Sequence, residues 1–113
     1  MPLIQTLISA AGPLPLSTTF TAEGDGDVIF YVSGSAWSQT AGSLLSITLY
    51  LDGQAIGTIS AFTNEAASHK TLVPAFFPAT LTAGGHKIGL AVQSSGTTTV
   101  TDLNDNFSVI LMY

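Results

Sequence analysis

The sequence has no cysteine and no arginine, and its only cationic side chains are Lys70 and Lys87. Without thiols there is no disulfide framework, no thiolate nucleophile and no sulfur-ligated metal site. The lack of cations excludes more. Nucleic-acid binding depends on neutralising phosphates, which seven acidic residues, a net charge of -5 and a pI of about 4.3 oppose. Anionic membrane surfaces and phosphorylated substrates are disfavoured on the same ground, and no glycine-rich loop ends in Lys-Ser or Lys-Thr. Long hydrophobic runs are missing too. The longest, 28–32 and 109–113, hold five residues each, whereas a helix that spans a bilayer needs about 20, so no membrane insertion is expected. Residues 1–12 end in small residues as a secretion signal does. No basic residue precedes them, and Gln5, Thr6 and Ser9 interrupt the apolar stretch, so a first β-strand is expected and no clear signal peptide.

What is present is apolar and small. Hydrophobic residues make up 46 % of the chain and charged ones 8 %, where an average soluble domain carries about 25 % charge. Disordered chains have the opposite balance. A domain of this length leaves much of its surface in water, so the exterior is expected to be Ser, Thr, Gly, Asn and Gln, or to be covered by other chains. Runs with period two, rich in Val, Ile, Thr, Phe and Tyr, recur between Gly, Pro, Asn and Asp clusters, while helical periodicity is hard to find. Strands are expected at 3–8, 16–22, 28–33, 44–51, 54–61, 70–73, 79–82, 86–93, 97–101 and 107–113. That is an all-β, antiparallel sandwich, with 1–113 read as a single domain.

Asp52-Gly53, between LSITLYL and QAIGTIS, predicts a two-residue hairpin with positive φ at both centres. Ala83-Gly84-Gly85 is expected to close a second hairpin between ATLT and HKIGLAV. Pro13, Pro15, Pro74 and Pro78 are expected between runs or at their ends. Leu45, Ile47, Leu49 and Leu51 share one face of their strand, and Ile88, Leu90 and Val92 extend the face that begins at His86. VIFYV (28–32) and FSVILMY (107–113) are apolar on both faces. A sandwich strand buries one face in its own domain, so the other calls for a covering partner, most economically a second copy of the chain.

The GDGDVIFYVSGSAW stretch, the LYLDGQAIG hairpin, the crossover around TNEAASHKTLVP, the TAGGHKIGLAV strand and the apolar last strand together resemble the compact jelly-roll domains of the tumour-necrosis-factor and complement globular-head type, with their bacterial and viral relatives. The resemblance implies a jelly roll of about eight to ten strands, usually a homotrimer, with first and last strands adjacent in the inner sheet. It further implies a subunit interface at Tyr31, Phe107, Val109, Leu111 and Tyr113. A more local likeness is to the cadherin linker: in T-DLNDN-F, Asp102, Asn104, Asp105 and Asn106 match the DxNDN that helps bind calcium. Carboxylate and amide oxygens are suitable hard ligands, and the likeness implies a calcium-stabilised adhesion domain. The competing role is a turn in which these side chains cap their own backbone. No other cofactor is expected.

His69 and His86 titrate near neutral pH and are the only obvious general bases. No G-x-S-x-G elbow accompanies them, and an enzyme is not expected. His86, after two glycines at the head of an apolar face, reads as a packed histidine. Trp37, the only tryptophan, lies in SGSAWSQTAG among small polar residues. An aromatic ring flanked by hydrogen-bonding groups suits sugar recognition, and Trp37, Gln39, Tyr50, Asn64 and His69 are the candidate carbohydrate-binding residues. The competing role for Trp37 is to plug one end of the sandwich or to pack against a neighbouring subunit. Two functions follow: a non-enzymatic oligomeric structural or attachment module on the surface of a virus or phage particle, or a soluble lectin of the same fold. Expected partners are further copies of the chain, virion proteins or cell-surface glycans. The expected location is the virion surface or the extracellular space.

Overall fold

The computed structural model describes residues 4–93 and 97–113; Leu3, the first residue of the expected strand 3–8, lies outside them. The described residues form ten strands and no helix: β1 (Ile4–Ala11), β2 (Leu16–Ala22), β3 (Gly26–Ser33), β4 (Ser35–Ala36), β5 (Ser43–Leu51), β6 (Gln54–Thr63), β7 (Lys70–Thr71), β8 (Ala75–Leu81), β9 (Gly84–Val92) and β10 (Asn106–Met112). Two four-stranded antiparallel sheets, ordered β1-β10-β3-β8 and β2-β9-β5-β6, pack face to face, and β4 pairs with β7. The chain alternates between the sheets in jelly-roll fashion, so its first and last strands lie side by side.

Alternation fills the space between the sheets. Phe30, Val32, Phe107, Val109 and Leu111 point inward from one sheet, and Leu45, Ile47, Leu49, Ile88 and Leu90 from the other. β5 lies between β9 and β6, and even its outward Ser46 and Thr48 are buried. Thr48 shares a hydroxyl hydrogen bond of 2.9 Å with Thr58 across the strand pair. The Asp52-Gly53 turn is as the residue types dictate, with φ of 51° and 84°.

Four expectations need correction. Ala83 to Gly85 does not close a hairpin, because β8 belongs to one sheet and β9 to the other; the glycines turn the chain across the sandwich. The strand expected at 79–82 begins at Ala75 and runs through Pro78. β8 is an edge strand, the place in a sheet where proline's missing donor does least harm. Residues 97–101 form no strand beyond a single antiparallel bridge between Val100 and Trp37.

The fourth correction concerns the interface. Phe107, Val109 and Leu111 are at most 1 % exposed, because the parity of β10 turns them into the core, where no second chain can reach them. The opposite parity puts Ile110 and Met112 outside. Two cross-strand rows then run over the sheet: Ile4, Met112, Ile29 and Pro78 in one, Thr6, Ile110, Tyr31 and Phe76 in the next. Ile4 is 66 % exposed and Phe76 62 %, and the Tyr31 ring rests on Phe76 with centroids 5.1 Å apart. Tyr31 therefore lies on the outward face, as an interface residue must. Tyr113 lines a groove of about 510 Å³ with Ile29, Pro78 and Met112 at one end of that face.

The end of the sandwich nearest Asp52 is closed by a charge clip. His86 Nδ1 is 2.6 Å from Asp52 Oδ2, and its Nε2 is 2.6 Å from the Thr82 carbonyl. Both partners only accept, so both nitrogens must donate and the ring is an imidazolium. The Thr82 carbonyl and then Asp52 hold the His86 pKa above 6.5, while His86 and then the Lys87 amide hold Asp52 below 3.8. The raised histidine stabilises the fold fully below its ordinary value, and that share is lost as pH rises through the folded value. The lowered carboxyl acts in the opposite sense, losing its share only as pH falls below 3.8. The urea midpoint will therefore fall between pH 6 and pH 8.5, and His86→Gln will flatten that fall. An unchanged slope in the variant would assign the effect to another group.

Candidate functional site

The topology sends the long connections to the other end of the sandwich. Residues 12–15, 34–42, 64–74 and 97–105 meet there and are tied to one another through their backbones. The Gly12 amide donates to the Asp105 carbonyl (2.8 Å), Ala67 to Ser38 (2.7 Å) and Leu72 to Gly34 (2.9 Å), and Trp37 and Val100 exchange bonds of 2.9 and 2.8 Å. Trp37, Gln39, Asn64, His69 and Asp102 to Asn106 therefore share one end. Tyr50 does not join them. It lies near the far end of β5, on the order of 20 Å away along the strand at about 3.3 Å per residue.

Asp105 is the pivot. It is fully buried, with its carboxylate fully engaged: Oδ1 accepts from Ser35 Oγ (2.7 Å) and from His69 Nδ1 (2.7 Å), and Oδ2 from the Asp102 amide (2.9 Å). Asp102 Oδ1 in turn caps the Asn104 amide at 2.8 Å. In DLNDN the carboxylates thus serve the turn and the neighbouring loops, while Asn104 and Asn106 are exposed. Asp105 holds the His69 pKa above 6.5, against the opposing effect of burial. His69 Nε2 lies 3.7 Å from Asp102 Oδ2. These three residues offer one ligand atom each within 4.8 Å of one another.

Trp37 is half-buried rather than displayed, with its ring tilted against His69 at a centroid distance of 5.9 Å. Its indole N–H is buried and finds no acceptor among the described residues. Gln39 and Asn64 are exposed in the flanking loops. Ser35 donates to the same carboxylate oxygen as His69 instead of to the histidine, so these three side chains do not form a serine relay, in which the histidine takes the proton of the hydroxyl. Sequence reasoning missed Ser35 and the union of His69 with Asp105. It foresaw an apolar outer face on 28–32 and 107–113 but gave it the inward residues of β10 in place of Ile110 and Met112, although the polar Asn106 and Ser108 that begin the outward side of β10 were a usable signal of parity.

No family model matches the chain, and no curated protein is similar to it in sequence. Solved structures are similar in fold. The Eiger TNF structure from S. frugiperda aligns with a TM-score of 0.58 at 9 % identity, over 82 % of this chain and 62 % of that one. A family 35 carbohydrate-binding module from Clostridium thermocellum aligns with a TM-score of 0.53 at 10 % identity, over 97 % and 88 %. A cycloisomaltooligosaccharide glucanotransferase from Paenibacillus sp., complexed with cycloisomaltoheptaose, aligns with a TM-score of 0.53 at 16 % identity; this chain covers 13 % of it and is itself covered to 90 %. At these identities the likeness is one of fold, a jelly roll like that of tumour-necrosis factor and of carbohydrate-binding modules.

Proposed function

We propose that the chain is a non-catalytic, self-associating attachment module, most simply a trimer, whose copies pack through the outer face of β1-β10-β3-β8 and present the loop end. The setting we propose is the surface of a virus or phage particle, or the extracellular space. The observation that carries the reading is the pair of apolar rows on that face. An outward sheet face ordinarily alternates to polar residues; here, apart from Thr6 at the edge, the two rows are apolar or aromatic, and they are flanked by polar rows, Asp27 with Thr80 on one side and Ser9, Ser108 and Ser33 on the other. The scarcity of charge over the chain supports the same reading, since a face meant for another copy has no use for it. Hydroxyl-radical footprinting at micromolar concentration tests it. Tyr31, Phe76 and Met112 will be protected while Phe62 and Leu103, exposed elsewhere, are labelled freely. Equal labelling of the two sets would contradict it.

A second reading is carbohydrate binding at the loop end. It is favoured by the Trp37 and His69 rings lying together there beside exposed Gln39 and Asn64, and by the fold shared with a family 35 carbohydrate-binding module. Tryptophan fluorescence during glycan titration decides it: a saturable shift supports the lectin, and an unmoved spectrum across a glycan panel counts against it.

A further inference from the structure

We propose that His69 Nε2 and Asp102 Oδ2 bind one divalent transition-metal ion of the zinc and nickel class at the loop end, with Asp105 acting behind His69. The site does not depend on self-association. The His69 ring has one orientation available, because its Nδ1–H is committed to Asp105 at 2.7 Å and that carboxylate is anchored by Ser35 and by the Asp102 amide. A ligating imidazole typically has such a carboxylate on its far nitrogen, which fixes the tautomer and raises the basicity of the free one. Asp102 is oriented as well, since its Oδ1 caps the Asn104 amide at 2.8 Å and leaves Oδ2 for another partner. The 3.7 Å between Nε2 and Oδ2 is too long for a hydrogen bond. It fits two ligands of one ion, which stand about 3.3 to 3.7 Å apart when each is about 2.0 to 2.2 Å from the metal at tetrahedral or slightly wider angles.

A second observation comes from Trp37. Its ring lies against His69, and its Nε1–H is the one buried side-chain donor without a partner among the described residues. Buried indole donors ordinarily find an acceptor. An oxygen of a molecule held beside His69 is an acceptor of the kind this N–H lacks. The donor set also selects the ion. One imidazole nitrogen and one free carboxylate oxygen suit a borderline cation, whereas calcium requires six to eight oxygens. Two protein ligands leave open positions, which water or oxygen donors of a bound molecule complete.

Titration calorimetry and thermal melting of chelator-treated protein with zinc, nickel and calcium chlorides provide the test. Zinc or nickel will bind one ion per chain, raise the melting temperature and shift the His69 Nε2 resonance. Asp102→Asn, which keeps an oxygen to cap Asn104, will weaken binding by about tenfold or more with little change in the metal-free melt. His69→Gln will abolish binding, and His86→Gln will leave it intact; should His69→Gln fail to fold, Asp102→Asn and the imidazole resonance decide. Absence of binding at submillimolar zinc and nickel would overturn the proposal. So would equal binding by wild type and Asp102→Asn, loss of binding in His86→Gln, or binding of calcium alone with its loss in Asn104→Ala.

Discussion

Leu111→Asp will unfold the chain, whereas Ile110→Asp, one residue earlier on β10, will leave the protomer folded and break its assembly. Leu111 is fully buried opposite Phe30 of β3. A carboxylate there has no partner, and its desolvation costs several kcal/mol, a large share of the roughly 5 to 15 kcal/mol that holds a domain of this kind together. Ile110 faces outward between Thr6 and Tyr31. A charge at that position remains hydrated in the free protomer and is desolvated only when a second copy covers it. Circular dichroism melts and sedimentation of the two variants provide the comparison. A folded Leu111→Asp protein would show that Leu111 is not in the core, and an Ile110→Asp protein of undiminished mass would show that the outward rows are not the seam.

Asp105→Ala will cost on the order of 2 to 4 kcal/mol, because a fully buried carboxylate that anchors three donors is lost. The substitution deprives Ser35, His69 and the Asp102 amide of their acceptor at once. A donor left unpaired out of reach of water costs about 1 to 3 kcal/mol, which falls mainly on the half-buried Ser35 hydroxyl and Asp102 amide, since His69 is exposed and can turn to water. It also loosens the junction of three loops, so the effect is not local. Asp27 provides the contrast. It is exposed and receives the Thr80 hydroxyl at 3.0 Å, and its replacement by alanine will stay within about 0.5 kcal/mol. Urea unfolding of both variants measures the difference. Comparable small effects would mean that the Asp105 network contributes little to stability.

The two sites differ in how much of them can be read from the residues. Strand alternation in LSITLYL and HKIGLAV reports burial directly, because each strand has one apolar and one polar or small face, and the Asp52-Gly53 turn follows from backbone sterics alone. In VIFYV and FSVILMY the same rule predicts that a second face must be covered but not which face that is. Parity was assigned from the resemblance to trimeric jelly rolls, and for Phe107, Val109 and Leu111 it is the reverse. Ala83 to Gly85 shows a similar limit: glycine marks a turn without naming the sheet that receives the next strand.

DLNDN is legible as a turn and opaque as a site. Four polar residues in five read as a solvated loop, yet Asp105 is the most buried charged residue of the described chain. Its partners Ser35 and His69 lie 70 and 36 residues away in sequence. Only the crossing of the chain between sheets brings them together, and no local pattern encodes that. Trp37 follows the same logic. A tryptophan among serines suggests display, while its bridge to Val100 and its contact with His69 fold it into the end of the sandwich.

The mass of the native particle tests the central claim most directly. Sedimentation equilibrium at micromolar concentration, on protein that has never been unfolded, is the measurement. An assembly of three times the 11.6 kDa chain mass is the result the outward apolar rows predict. A single species of 11.6 kDa would contradict it.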